Sequence, residues 1–247
     1  MQAERKVAKL VDWLKERVTR AGAEGLVLGL SGGIDSAVVA GLAVRAFPNT
    51  SLAVLMPIHS LPQDTSDAQL VADALGIRTA TVDLASAFDC LLGLYASLPL
   101  DGRLIPEERT RLAQGNLKPR LRMLTLYYVA NSLNYLVAGT GNRSELAVGY
   151  FTKHGDSGVD LLPLGSSVKE EVREMARVLG IPERVITKAP SAGLWEGQTD
   201  EAELGLTYAE LDRYLLTGEA SDEVKAAIDK RIAGSRHKRE LPPIPDF

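Results

Sequence analysis

The feature that most constrains the fold is a repeated alternation between short apolar runs and segments with helical periodicity. Apolar residues recur at spacings of three and four from Val7 to Val18, which predicts an amphipathic helix. Strands are predicted at 26–30, 52–56, 79–82 and 136–138, with a fifth near 161–162, and further helices near 34–46, 65–75, 88–95 and 116–132. Apolar strands separated by helices predict a parallel sheet covered on both faces, so the expected fold class is doubly wound α/β.

The length and charge of the chain restrict its partners. A chain of 247 residues, 45% of them hydrophobic, can bury one large core, so residues 1–247 are predicted to form a single domain. The formal net charge of -4 provides no positive field for gathering polyanions, which argues against nucleic acid as a partner. No stretch approaches the ~18 apolar residues of a membrane span, and no signal-peptide pattern follows the first charges. We therefore expect a cytoplasmic protein that binds no membrane.

Three segments interrupt the alternation. Residues 99–115 and 190–206 are long connections of the kind that is either functional or disordered, so we expect two mobile lids. The C-terminal tail, residues 236–247, contains the segment 237–243, which is predicted to be too rich in proline to be helical. Cys90 is the one cysteine of the chain and lies in an apolar stretch, which predicts a small buried side chain rather than a redox or metal site.

The helix predicted at 116–132 is apolar around nearly its whole circumference. A helix of this kind must be buried on more than one side. The sequence leaves two interpretations open, because the helix could lie between the sheet and neighbouring helices or could form a subunit interface.

The segment that follows the first strand has the features of a phosphate-binding loop. It opens a helix, so that unpaired backbone N–H groups and the positive end of the helix dipole meet at one point. Two glycines let the backbone curl, two hydroxyls can donate hydrogen bonds, and a carboxylate stands where a phosphate-bound Mg²⁺ would sit. The same residue types also occur in ordinary turns and helix starts. The segment reads Ser31-Gly32-Gly33-Ile34-Asp35-Ser36.

This Ser-Gly-Gly-x-Asp-Ser segment resembles the pyrophosphate-binding loop of the N-type ATP pyrophosphatases, whose fold is Rossmann-like and of the adenine nucleotide alpha hydrolase type. Enzymes of this superfamily transfer AMP from ATP to a substrate oxygen and release pyrophosphate. A nucleophile then displaces AMP. The loop alone does not distinguish the members. Further blocks resemble the NAD synthetase family, from about residue 5 to the end of the chain, at residues 139–145, 149–160, 163–164, 188–195, 198–201, 204–205 and 237–239.

One of these blocks also imitates a different motif. Gly139-Thr140-Gly141 resembles the start of a dinucleotide-binding fingerprint, but its final glycine is replaced by Ser144. No acidic residue follows about 20 positions later in the required strand context. The block therefore does not predict a Rossmann dinucleotide site.

The resemblance implies ATP-dependent amidation of deamido-NAD to NAD with ammonia, through an adenylate and with release of AMP and pyrophosphate. It implies ATP as co-substrate and Mg²⁺ held by Asp35 and Glu145. Asp35, Lys169 and Asp156 are the implied catalytic residues, and Asp156 is the candidate for holding ammonium and taking its proton. The alternative for Asp156 is a simple turn residue. The implied ATP contacts are Gly29, Leu30, Ser31, Gly32, Gly33, Ile34, Asp35, Ser36, Thr140, Lys169 and Ser191.

The resemblance also assigns the second substrate and the assembly. The implied deamido-NAD contacts are Arg120, Lys153, Asp160, His237 and Lys238. Members of the family are homodimers that bind deamido-NAD near the subunit interface, which favours the interface interpretation of helix 116–132. Glutamine-using members add a glutaminase domain for which this chain has no room, so ammonia is the expected nitrogen donor.

Two rival functions stay open, one for an enzyme with the same loop and one for a binding module with a similar sheet. Another N-type ATP pyrophosphatase could adenylate a different substrate, but the RNA-modifying members would need a basic face or an added RNA-binding module. A non-catalytic ATP-binding module would not need Glu145, Lys153 or the segment around Ser191.

Overall fold

The computed structural model describes residues 1–98, 106–191, 193–195 and 197–245. The strands are β1 (Gly25–Gly29), β2 (Ser51–Leu55), β3 (Arg78–Thr81) and β4 (Tyr135–Val137). The first helices are α1 (Gln2–Arg20), α2 (Ile34–Ala46), α3 (Pro62–Leu75), α4 (Ala85–Ala96) and α5 (Glu107–Leu133). They are followed by α6 (Arg143–Val148), α7 (Lys169–Leu179), α8 (Glu183–Ile186), α9 (Asp200–Leu204), α10 (Tyr208–Thr217) and α11 (Asp222–Gly234), and by a short 3-10 helix (Arg236–Lys238).

The four strands form one parallel sheet in the order β3-β2-β1-β4. The chain leaves β1 toward one edge of the sheet and returns to the other side of β1 at β4. Loops at the carboxyl ends of β1 and β4 therefore lie side by side, which is where ligands bind in open α/β sheets. The predicted doubly wound α/β fold is confirmed.

Alternate residues of the strands point to opposite faces of the sheet, and each face packs against its own apolar layer. Leu26 and Leu28 of β1 belong to the larger layer, which is packed with residues of α1, α2, α3 and α7. Val27 faces the opposite layer, where Phe88 of α4 and Leu126 of α5 cover the sheet. A third cluster of buried residues joins α6, α10 and α11 around Tyr208. None of the described helices combines the length and apolar character that crossing a bilayer requires.

The structure departs from the predicted elements in three places. Near 161–162 there is only an isolated parallel bridge between Ala138 and Leu161, rather than a fifth strand. Helix α5 begins at Glu107, so that residues 107–115 of the first predicted lid are helical, while residues 99–105 lie outside the described residues. The tail contains the 3-10 helix Arg236–Lys238, so the prediction that 237–243 is not helical is wrong for its first two residues, since the prolines that exclude helix come only at 242 and 243.

The predicted burial of Cys90 is wrong, since its side chain is exposed. It lies on α4, where Phe88 is the buried residue. A helix on the surface of a sheet buries one stripe only, and an apolar residue off that stripe stays in contact with solvent.

Helix α5 also buries only one face within the chain. Leu126 and Ala130 are buried against the sheet, whereas Leu124 is 63% exposed and Tyr128 is 75% exposed. Burial between the sheet and neighbouring helices, one of the two interpretations of this helix, is therefore wrong for the chain taken alone.

Candidate active site at the carboxyl ends of β1 and β4

The loop between β1 and α2 has the predicted form of an anion cradle. Gly33 is the N-cap of α2 and supplies no side-chain cap, so the N–H groups of the first turn remain directed at the loop. Ser36 Oγ donates to Gly33 O at 2.9 Å and accepts from Ser31 N at 3.2 Å, which fixes the curl of the backbone. The two serine oxygens lie 3.1 Å apart. The loop therefore presents hydroxyl and backbone donors at the positive end of a helix dipole.

Helix α3 supports this loop from behind. Gly32 has a φ of 80°, and a Cβ at this position would lie 2.4 Å from Asp64 O. Lys188 Nζ holds the same helix through Asp64 Oδ1 at 2.7 Å and Asp67 Oδ2 at 2.8 Å. Since Lys188 lies three residues before Ser191, these ion pairs attach the start of the second predicted lid to the helix beneath the loop.

Three of the predicted residues converge on one point beside the loop. Lys169 Nζ, at the first residue of α7, lies 2.6 Å from Asp35 Oδ2 and 3.2 Å from Glu145 Oε1. The side chain of Lys169 is 2% exposed, and those of Asp35 and Glu145 are each 16% exposed. The sequence-based assignment of Lys169 to phosphate remains a prediction, because its ammonium group contacts the two carboxylates in this structure.

Asn142 joins the two carboxylates and was given no role by the sequence analysis. Its side-chain Oδ1 accepts from Glu145 N at 3.0 Å, and its Nδ2 donates to Asp35 Oδ1 at 2.8 Å. Glu145 Oε2 accepts in turn from Asn142 N at 3.2 Å, which completes a capping box at the start of α6. The Asn-x-x-Glu spacing indicates the cap, but only the fold shows that the same amide binds Asp35.

The electrostatics of this cluster fit a divalent cation. Burial, together with the neighbouring charge of Asp35, raises the pKa of Glu145. Burial lowers the pKa of Lys169, but the attraction of Asp35 and Glu145 outweighs it and leaves this pKa raised. Two carboxylates held together at a buried point repel each other, and a positive charge between them relieves the repulsion. The ammonium group supplies that charge here, and two carboxylate ligands beside a phosphate cradle suit Mg²⁺.

The two remaining predicted ATP contacts lie on other segments of the chain. Thr140 lies just after β4, next to the end of β1, where the chain turns into α6. Ser191 is exposed, and its Oγ accepts from Gly193 N at 3.1 Å. Ser191 therefore stands in the second predicted lid with its hydroxyl committed only to a local turn among the contacts of the described residues.

The second predicted lid contacts helix α5. Lys118 Nζ donates to Leu194 O at 2.9 Å, and the guanidinium carbon of Arg111 lies 4.9 Å from the centre of the Trp195 ring. A Cβ on Gly115 would lie 3.2 Å from that ring. Residues 200–204 of the same segment form α9, and Ala192 and Glu196 lie outside the described residues. The role of this segment as a lid remains a prediction.

Four of the five predicted deamido-NAD contacts form one group. Arg120 Nη2 donates to Lys153 O at 3.2 Å, and Lys153 Nζ donates to His237 O at 2.7 Å. Lys238 Nζ donates to Gly149 O and Phe151 O, each at 2.8 Å. These contacts bring α5, the 149–153 segment and the 3-10 helix together as a patch of cationic side chains.

Asp160 stands apart from that patch. Its Oδ2 accepts from Val137 N at 2.8 Å and its Oδ1 accepts from Tyr127 OH at 3.0 Å. Burial and the contact with Asp160 raise the pKa of Tyr127 to about 12. The carboxylate thus extends the hydrogen bonding of β4, and a substrate would meet it from its exposed side.

Asp156 follows Lys153 by three residues. Its Oδ1 accepts from Thr152 N at 2.8 Å. The side chain of Asp156 is exposed, and partial desolvation raises the pKa of its carboxyl. Hydrogen bonds from backbone N–H groups, and then the charges of Lys238 and Arg122, oppose this increase. A carboxylate in such a position is a better proton acceptor than an ordinary surface aspartate.

The family model described as NAD synthase matches residues 6–242. The NH(3)-dependent NAD(+) synthetase of Carboxydothermus hydrogenoformans is 53% identical over 242 residues, which cover 98% of this chain and 97% of the relative. Two solved structures each align over 100% of both chains. One is the NMN synthetase from Francisella tularensis, with a TM-score of 0.92 and 38% sequence identity. The other is the NH3-dependent NAD synthetase from Campylobacter jejuni, with a TM-score of 0.79 and 30% sequence identity. The residues that form the loop, the buried carboxylates and the cationic patch thus belong to a chain that is a member of the NAD synthase family.

Proposed function

We propose that the protein converts deamido-NAD to NAD by ATP-dependent amidation with ammonia, and that the reaction takes place between the phosphate loop and the cationic patch. The convergence of Asp35, Glu145 and Lys169 beside the loop carries this proposal. The curated relatives named as NH(3)-dependent NAD(+) synthetases support the reaction and the nitrogen donor.

The chemistry requires activation of a carboxylate. A carboxylate anion repels nucleophiles, and its oxygen is a poor leaving group. In the first step a nicotinate carboxylate oxygen attacks the α-phosphorus of ATP, and the bond from that phosphorus to the pyrophosphate oxygen breaks. In the second step ammonia attacks the acyl carbon, the bond to the AMP oxygen breaks, and the nitrogen loses a proton.

The residues of the cradle would bind ATP and stabilise the leaving group. The uncapped N–H groups of the first turn of α2 suit the oxygens of pyrophosphate. The hydroxyls of Ser31 and Ser36, which bond within the loop in this structure, would turn toward the same oxygens. Mg²⁺ held by Asp35 and Glu145 would neutralise charge that develops on pyrophosphate. Lys169 would add a second positive charge at the same place.

The residues on the other side would orient deamido-NAD and the nucleophile. Arg120, Lys153 and Lys238 offer positive charge to an anionic dinucleotide. Asp156 would hold ammonium and accept its proton, because ammonium predominates at neutral pH and only free ammonia is a nucleophile.

A labelling experiment tests the route. With ¹⁸O in the nicotinate carboxylate of deamido-NAD, one labelled oxygen is expected in AMP for each NAD formed, because the carboxylate oxygen stays with the phosphorus that it attacked. Mass spectrometry of AMP reads the label. Unlabelled AMP, or formation of ADP and labelled phosphate, would contradict adenylation of the carboxylate.

The exposed face of α5 supports a homodimer as part of the proposal. Leu112, Leu124, Tyr128 and Leu133 are all at least 40% exposed, and apolar side chains concentrated on one helix are typical of a protein interface. A second copy of the chain would bury them and would enclose the cationic patch nearby. Light scattering is expected to give twice the monomer mass of 26.6 kDa.

A second candidate substrate follows from the comparisons. The Francisella tularensis protein, described as an NMN synthetase, has a TM-score of 0.92, against 0.79 for the Campylobacter jejuni NAD synthetase. The same chemistry would then act on a nicotinate mononucleotide, which lacks the AMP half of deamido-NAD. An assay with deamido-NAD and with nicotinate mononucleotide distinguishes the two candidate substrates.

A further inference from the structure

We infer that Tyr208 is a positioning residue of the active site, which couples the segment that carries Ser191 to the carboxylate of Glu145. This inference rests on the proposed function, because it assumes that Glu145 helps to bind Mg²⁺ and that Ser191 contacts ATP. Neither the phosphate loop nor the cationic patch contains Tyr208, which is 63 residues from Glu145 in the sequence and is the first residue of α10.

The tyrosine hydroxyl lies between two carboxylates. Tyr208 OH donates to Asp200 Oδ2 at 2.8 Å and lies 3.5 Å from Glu145 Oε1. Its ring centre lies 4.8 Å from Lys169 Nζ, a distance at which the face of an aromatic ring attracts a cation. The side chain is 1% exposed and belongs to the apolar cluster of α6, α10 and α11. One buried side chain therefore contacts both the ammonium and a carboxylate of the cation site.

Asp200 links the tyrosine to the segment that carries Ser191. Its backbone N–H donates to Pro190 O at 3.1 Å, which ties Asp200 to the residue just before Ser191. The residue is 4% exposed, and its Oδ1 has no hydrogen-bond partner among the described residues. A buried carboxylate with one unsatisfied oxygen depends strongly on the bond to its other oxygen. The hydroxyl of Tyr208 makes that bond.

Helix α10 is itself fixed to the elements of the site. Asp212, one turn after Tyr208, accepts from Ser144 Oγ at 2.5 Å and from Glu170 N at 3.0 Å. Ser144 precedes Glu145, and Glu170 follows Lys169. The position of Tyr208 is thus set by the same helices that present the cation-binding side chains, as a positioning role requires.

The test compares two identical substitutions on one helix. Tyr208→Phe removes the hydroxyl and keeps the ring, whereas Tyr214→Phe removes a hydroxyl that donates to the exposed Asp229 at 2.7 Å. Calorimetric titration of ATP at a series of Mg²⁺ concentrations gives the half-saturating Mg²⁺ for each protein. We expect an increase of about tenfold for Tyr208→Phe, since a hydrogen bond to a charged group is lost, and no change for Tyr214→Phe. The rate at saturating Mg²⁺ and ATP should change less than the half-saturating concentrations.

A second pair of variants keeps the inference testable if Tyr208→Phe folds poorly. Asp200→Ala should reproduce the tenfold increase, and Asp200→Asn, which retains an acceptor for the hydroxyl, should restore most of the wild-type Mg²⁺ dependence. Equal Mg²⁺ dependence of Tyr208→Phe and Tyr214→Phe, or of Asp200→Ala and the wild type, overturns the inference. The proposed function survives that result if Asp35→Asn still abolishes Mg²⁺-dependent binding, and it fails separately if Asp35→Asn does not.

Discussion

Asp35→Asn is expected to lower kcat/KM for NAD formation by about 10²- to 10³-fold, the loss typical when one preorganised electrostatic group is removed from an active site. The amide retains the shape of the carboxylate but carries no charge for Mg²⁺. The carboxylate of Asp35 accepts hydrogen bonds from Asn142 Nδ2 at 2.8 Å and from Lys169 Nζ at 2.6 Å. In the amide, an N–H₂ donor replaces one of these two acceptor oxygens, so that one of the two bonds is lost. Steady-state kinetics with varied ATP measure the loss.

The stability of this variant separates a metal role from a structural one. Mg²⁺ with ATP should raise the melting temperature of the wild-type protein, because ligands that bind only the native state stabilise it. That increase should disappear in Asp35→Asn. Asp73→Asn is a matched control, since Asp73 is exposed on α3 and, among the described residues, its side chain accepts only from Gln69, at 2.8 Å. Retention of both activity and the Mg²⁺-dependent increase by Asp35→Asn would contradict the assignment of the metal site.

Gly32→Ala is expected to raise the KM for ATP by more than about tenfold and to lower the melting temperature. The new Cβ would meet Asp64 O at 2.4 Å, so the loop must move away from α3. The backbone φ of 80° adds the left-handed penalty of about 1–2 kcal/mol for a residue with a side chain. A displaced loop no longer directs its donors at one point, and preorganisation of the phosphate site is lost.

Gly76→Ala provides the control for backbone strain alone. Gly76 ends α3 with a φ of 64°, and a Cβ there would meet nothing within 4 Å. The free energy of unfolding of Gly76→Ala should fall by the cost of the left-handed backbone conformation, while its KM for ATP stays at the wild-type value. If the two alanine variants had the same KM for ATP, the contact between the loop and α3 would have no part in binding.

The alternation of apolar runs and helical periods was sufficient to predict the order of elements and the parallel sheet. Local pattern could not predict that α5 starts at Glu107, because residues 107–115 have few apolar residues and are almost entirely exposed. It likewise could not separate a strand near 161–162 from the isolated bridge that Leu161 forms with Ala138. The prediction that Cys90 is buried was wrong for a related reason, since apolar neighbours in the sequence do not show which side of a helix faces the core.

The sequence likewise indicated some residues of the candidate site and not others. The loop could be recognised because its residues are consecutive and its chemistry is local. Asp35, Glu145 and Lys169 were assigned through family resemblance, and the fold brings them within hydrogen-bonding distance. Asn142, Tyr208 and Asp200 were given no role, because their contacts join distant parts of the chain and leave no periodic pattern in the sequence. Only the packing of α2, α6, α9 and α10 shows these contacts.

The central claim is the conversion of deamido-NAD to NAD with ammonia at this site. The most direct measurement is NAD formation by the purified protein with Mg²⁺ and ATP, in parallel reactions with ammonium or glutamine and with deamido-NAD or nicotinate mononucleotide. We expect NAD, AMP and pyrophosphate in equal amounts from deamido-NAD and ammonium, with a higher kcat/KM than for the mononucleotide. No NAD from deamido-NAD, or a clear preference for the mononucleotide, would contradict the account.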